Sequence, residues 1–188
     1  MSIQRASNFS AECICKKVRL EIIGLNPNFT VCHCSTCQYL HAGPGFGASC
    51  NDIKILDGEE HIKKFFTKID KKRTQRFLAE HGIAQIEEPD IPEYFSVWHF
   101  CAECGTKLYY RFEDSVWKNK CDQYVASVGF LHESGLKNLK METEAYFDKK
   151  PYYYSFKEKT TALSEDETHK KYIRMSKVFD ADSNNDGD

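Results

Sequence analysis

No apolar run in this sequence approaches the roughly 20 residues that a membrane-spanning helix requires, so no membrane association is expected. Its opening stretch, MSIQRASNFSAE, is polar and lacks the apolar core of a secretory signal. An intracellular, reducing location is therefore expected, the cytoplasm by default with the nucleus as the alternative. Neither charge sign dominates: 26 Lys and Arg against 28 Asp and Glu leave a net charge of −2, which gives no global argument for binding nucleic acid or an anionic surface. There is no internal repeat of solenoid or propeller length.

Cysteine is what the chain has in excess. A protein of 188 residues suits one domain with a real core, and nine cysteines in a reducing compartment argue for metal or catalysis over disulfides. The odd count agrees, since paired disulfides would leave one thiol over. Seven of the nine fall into close groups: Cys13 with Cys15; Cys32, Cys34 and Cys37; and Cys101 with Cys104. Cys50 and Cys121 stand alone and carry no recognisable nucleophile signature.

Around these groups the pattern predicts a mainly β fold of many short strands separated by turns. Alternation through Val18, Leu20 and Ile22 reads as a strand, and further strands are predicted at 29–34, 46–50, 53–56, 61–67, 94–100, 107–112, 124–131, 145–147 and 152–156. Ser35 is placed to cap a short helical turn carrying Cys37, and residues 41–47 read as a glycine-rich loop. Residues 68–93 change character: a basic run through Lys68, Lys71, Lys72, Arg73 and Arg76, then FLAEHG with Gly82 as a helix stop, then an acidic, proline-broken stretch. This segment reads as a helical insertion whose basic run is a solvated face. Ser164 and Glu167 form a capping box that opens a helix to about Val178, and the tail from Asp182 to Gly187 reads as acidic and disordered. The expected layout is an arm over residues 1–10, a metal-binding domain over 11–160, and a helix with tail over 161–188.

Counting ligands divides the thiols. The pairs at 13/15 and 101/104 each supply half of a tetrahedron, and together they make a closed four-thiolate site, as in structural zinc centres. That leaves Cys32, Cys34 and Cys37 as a three-thiolate zinc site with one corner for water or substrate. Two zinc ions per chain are therefore expected. Residues i and i+2 of a strand share a face, so both thiols of a C-x-C can meet one ion while the intervening His33 points away. His41, one helical turn after Cys37, is weighed as a fourth ligand or proton carrier and given a surface or supporting role; His99 is expected to pack near Cys101.

The order C-x-C, C-H-C-S-x-C and F-C-x-x-C-G-T resembles the glutathione-dependent formaldehyde-activating enzyme family, which includes centromere protein V. The likeness runs from about Ala11 to Phe156 and takes in Gly43, Gly129 and the aromatic run near Tyr152. It implies stacked short sheets held by zinc, with a structural ion on the residues matching Cys13, Cys15, Cys101 and Cys104 and a catalytic one on Cys32, Cys34 and Cys37. It also implies a carbon–sulfur lyase that joins glutathione, as co-substrate, to formaldehyde, giving S-hydroxymethylglutathione. The alternative is a zinc-stabilised module without turnover, a glutathione carrier or a binder of nucleic acid or chromatin. No residue is assigned as general base.

Overall fold

The computed structural model describes residues 8–80, 91–131 and 137–173. The fold is mainly β: a three-stranded antiparallel sheet packs against an eight-stranded one. The small sheet runs β1 (Phe9–Glu12), β2 (Arg19–Ile23), β5 (Asp52–Asp57). The large sheet comprises β3 (Asn28–Cys32), β4 (Gly45–Cys50), β6 (Ile62–Lys68), β7 (Tyr94–Cys101), β8 (Lys107–Phe112), β9 (Tyr124–Ser127), β10 (Lys140–Ala145) and β11 (Thr161–Leu163). Its order is β11-β10-β3-β4-β9-β8-β7-β6. β10 pairs in parallel with both β3 and β11, and the remaining pairs are antiparallel. Three α-helices decorate the described chain: α1 (Ser35–His41), α2 (Lys71–Glu80) and α3 (Glu165–Tyr172). None is long and apolar enough to cross a membrane.

Strand alternation decides which way each sheet faces. Leu20 and Ile22 of β2 and Ile53 of β5 meet Ala48, Leu108, Tyr109 and Ala126 of the large sheet in one core. The opposite residues on the same strands, among them Thr30, Cys32, Gly47, Ser49, Trp98, Tyr110 and Phe112, line a cleft of about 1210 Å³. One sheet therefore carries the core on one face and the cleft on the other.

Several elements depart from the sequence reading. Cys13 and Cys15 lie in the turn between β1 and β2, not on a strand, and Lys16 adopts a left-handed conformation at φ 62° to close it. The segment 145–147 leaves the sheet at Tyr146, whose φ of 55° turns the chain into a short 3₁₀ turn, Phe147–Lys149. Residues 152–156 are irregular, because their aromatic side chains stack on one another and on His33 with no strand ladder. β9 ends at Ser127 and gives way to a 3₁₀ turn, Val128–Phe130. β11, which ties the C-terminal segment to the sheet, was not anticipated; its three residues carry too little alternation to register. β1 already begins at Phe9. The capping box at Ser164 is formed with Glu167, but the helix ends at Tyr172 where Ile173 bridges to Trp117. Gly82, Val178 and the acidic tail lie outside the described residues.

Of the basic run, Arg73 and Arg76 of α2 and Lys68 at the end of β6 line the cleft. The run's charges are partly paired: Lys68 faces Glu93 at 3.5 Å, and Arg73 reaches Glu165 of α3 at 2.6 Å.

The two sheets are also joined through sulfur. The β1–β2 turn brings Cys13 and Cys15 to Cys101 and Cys104 at the tip of the β7–β8 hairpin. Gly105, at φ 70°, permits that tip to turn within hydrogen-bonding reach of Cys101. Cys13 and Cys101 are fully buried, so a substitution there leaves the sheets without their tie. Cys101→Ser is expected to unfold the domain or lower its melting temperature by about 10 °C; a calorimetric profile matching the unaltered chain would show that the quartet carries no structural load.

Candidate functional site

Cys32 closes β3, and the chain stays extended through Cys34 before α1 begins. Cys34, at φ −63° and ψ 158°, is itself the N-cap: its sulfur accepts from the Cys37 amide at 3.4 Å. The thiol thus takes the capping role expected of Ser35, which is the first residue of the helix. Cys37 sits one turn in and is buried. The three sulfur atoms lie within 4.8 Å of one another.

Space for this cluster depends on the facing strand. A Cβ on Gly45 of β4 would stand 2.9 Å from the Cys37 sulfur and 3.3 Å from the His41 ring. The local charge is concentrated on one atom. Hydrogen bonds from the Cys32 and Cys37 thiols hold the Cys34 thiol down to about 3, while the same bonds push Cys32 and Cys37 up.

The second cluster, Cys13, Cys15, Cys101 and Cys104, also has its four sulfurs within 4.8 Å of one another. Cys15 is 3.5 Å from Cys13 and 3.7 Å from Cys101. Cys104 is brought down to about 6: desolvation opposes this, but bonds from Thr106 and Cys15 outweigh it. Either cluster could hold a metal ion. Among the described residues no further His, Cys, Asp or Glu joins the three-thiol group. His41 instead packs edge-on to Trp98 at 5.4 Å and is kept neutral by burial and by Lys107. Cys50 is buried and donates to the Tyr124 carbonyl on the core side of β4, and Cys121 is exposed. His99 stacks on Tyr109 with centroids 4.1 Å apart, and burial lowers it to about 4.

His33 is fully buried on the opposite side of the chain from its two cysteine neighbours. Its Nε2 donates to Glu144 Oε2 at 3.0 Å, and its Nδ1 accepts from Tyr154 Oη at 2.7 Å. Glu144 also accepts from Lys150 at 3.0 Å and from Thr160 at 2.6 Å. Burial pushes the Glu144 carboxyl up, yet the bonds from Thr160, Lys150 and His33 prevail and hold it below its ordinary value. This network anchors the peptide between Cys32 and Cys34 to β10. It was missed because its members lie 111 residues apart in sequence.

Two tyrosines line the cleft beside the thiols. Tyr110, on β8, and Tyr146 are both held well above the ordinary phenol value by burial first and by the cysteine charges second, so both stay protonated. Tyr146 Oη donates to His169 Nε2 at 2.7 Å. No local motif marks either tyrosine.

Residues 8–97 match the family model of the glutathione-dependent formaldehyde-activating enzyme. An uncharacterized lyase of Schizosaccharomyces pombe is 23% identical over 166 residues, covering 88% of this chain and 98% of its own. Over residues 8–97, then, the chain is similar to the formaldehyde-activating enzyme family. A Rhodobacter sphaeroides protein of known crystal structure shares 17% identity, with a TM-score of 0.40 over 66% of this chain and 89% of that one. The family match takes in the three-thiol group and the Cys13/Cys15 pair, and it ends before the Cys101/Cys104 hairpin and Tyr110. Family and lyase-named relative together support a lyase of this type.

Two substitutions test the site's construction. Gly45→Ala is expected to displace Cys37 and lower metal retention at the three-thiol cluster while leaving the quartet loaded, as measured by metal content after dialysis. Glu144→Ala is expected to cost about 3 kcal/mol, since it leaves buried partners uncompensated, as read by denaturant unfolding. Because the Glu144 pKa is depressed on folding, its stabilisation is complete above about pH 4.5 and disappears as the pH falls through the lowered value. Glu144→Gln should flatten that acid limb.

Proposed function

We propose that this chain is a zinc-dependent carbon–sulfur lyase that forms or cleaves the adduct of a thiol, such as glutathione, with an aldehyde. The observation that supports it most is the convergence of Cys32, Cys34 and Cys37 at one end of a cleft, with no fourth ligand from the described residues. Thiolate donors suit zinc, and in the quartet the spacing does too: tetrahedral coordination at about 2.3 Å places sulfurs about 3.8 Å apart, close to the 3.5 and 3.7 Å separations around Cys15. In this reading Cys13, Cys15, Cys101 and Cys104 hold a structural ion, and Cys32, Cys34 and Cys37 hold the catalytic one. Bound at the three-thiol cluster, zinc would hold an incoming thiol as its thiolate at neutral pH.

The chain's own residues supply the rest. Tyr110 keeps its proton on Oη and is suited to donate to an aldehyde oxygen, but not to act as a base. Tyr146, bonded to His169, fixes the wall on the other side. The cleft holds the two reactants together, which converts an encounter into an oriented reaction. Its rim carries both signs, with Lys68 and Arg76 near Asp70 and Glu80. Glutathione, with two carboxylates and an ammonium, presents both signs in turn.

Metal analysis and glutathione titration of the unaltered chain and of Cys34→Ser test this reading. Two zinc equivalents are expected in the former, with one lost from the variant together with glutathione binding. Absence of any thiol binding by the zinc-loaded chain would sink the proposal. A faster approach to adduct equilibrium than in buffer separates an enzyme from a carrier.

A further inference from the structure

One wall of the cleft is more aromatic than a one-carbon aldehyde needs. From the thiol end a run of rings leads along it. Trp98 stacks on Tyr110 with centroids 4.2 Å apart, Tyr110 meets Phe112 edge-on at 5.2 Å, Phe112 stacks on Trp117 at 4.2 Å, and Trp117 faces Tyr172 at 5.7 Å. All five line the cleft. Register explains how they meet: Trp98 of β7 is paired with Tyr110 of β8, and Ser96 with Phe112, so alternate positions share the cleft face. Tyr172 arrives from α3, held where Ile173 bridges to Trp117.

Two observations indicate that this wall is placed for a ligand. First, β4, which lies beyond β9 in the sheet, presents only the small residues Gly47 and Ser49 to the cleft. A Cβ at Gly47 would lie 2.6 Å from Val125 and 3.4 Å from Tyr110 Oη, and Ser49 follows it on the same face. Second, the indole N–H groups of both Trp98 and Trp117 are buried without a partner. An unsatisfied buried donor destabilises a fold, and phenylalanine at either place would avoid it. The two tryptophans are the only ones in the chain, and both are spent on this wall.

We propose that the adduct handled here is that of a thiol with an aromatic aldehyde, its sulfur at the Cys32, Cys34 and Cys37 cluster and its ring along the wall from Tyr110 to Trp117. This rests on the thiol–aldehyde reading and specifies its substrate class. Addition joins sulfur to the carbonyl carbon; the S–H proton is released, the π pair of the C=O bond moves to oxygen, and a proton completes the hydroxyl. Cleavage is the reverse, and neither direction needs an oxidant or reductant.

The test compares two stable mimics on the zinc-loaded full chain, S-benzylglutathione and S-methylglutathione, with free glutathione titrated alongside. Calorimetry is expected to show the benzyl compound binding about ten- to hundred-fold tighter than the methyl one, as burial of an aryl ring implies. It should also shift the tryptophan emission, which reports only Trp98 and Trp117. Trp117→Ala should bring the two affinities within about two-fold of each other; Tyr172→Ala, at the far end of the wall, should narrow the gap if the first variant does not fold. Equal affinities, or binding of neither mimic, overturn the aryl subsite. Binding of free glutathione in that case leaves the thiol reading standing, and its failure to bind removes both.

Discussion

Four thiols can share so small a space only if their charges are not all present at once or are taken up by something else. In the quartet that joins the sheets, desolvation holds Cys101 protonated, whereas Cys104 is the thiol poised to ionise. A divalent ion that favours thiolates is the partner such a set fits. The rest of the molecule depends on this junction, because it fixes the β1–β2 turn against the β7–β8 hairpin and so sets the small sheet over the core face of the large one.

Fixing the core on one face leaves the other face of the large sheet available. There the same alternation that buries Tyr109 presents Tyr110, and the same strand that buries Ala48 presents Gly47 and Ser49. The three-thiol cluster lies where β3 runs into α1, with Cys34 serving as helix cap and charge-bearing sulfur at once. Behind it the buried His33–Glu144 pair holds the backbone between the two leading cysteines, so the geometry of the cluster is set from the side away from the cleft. The insertion is part of this arrangement: α2 forms cleft rim, and Arg73 ties it to α3 through Glu165.

Much of this was legible because thiol spacing is a local signal. Close spacing keeps thiols within reach of one another whether the chain is extended, as from Cys32 to Cys34, or turning, as at Cys13 and Cys15, and the capping box at Ser164 is local in the same sense. Strands with clear alternation, such as Leu20 and Ile22, were equally readable. The reading erred where neighbours overrode local pattern. The aromatic residues 152–156 favour a strand by composition, yet Tyr154 and Phe156 pack on His33 while Tyr152 and Tyr153 stay exposed. Residues 145–147 leave the sheet because Tyr146 takes a left-handed conformation.

By itself, then, the sequence determined the mainly β class, the grouping of seven cysteines into a quartet and a triplet, and the resemblance to a family. Tertiary structure alone decided that Trp98, Tyr110, Phe112, Trp117 and Tyr172 form one wall, that Glu144 and His33 meet, and that Tyr146 stands beside the thiols. Those contacts arise from strand order and cross-strand register, which join residues far apart in the chain and leave no periodic trace in it. The triplet's ligands are written in adjacent residues; what the triplet faces is written in the order of the strands.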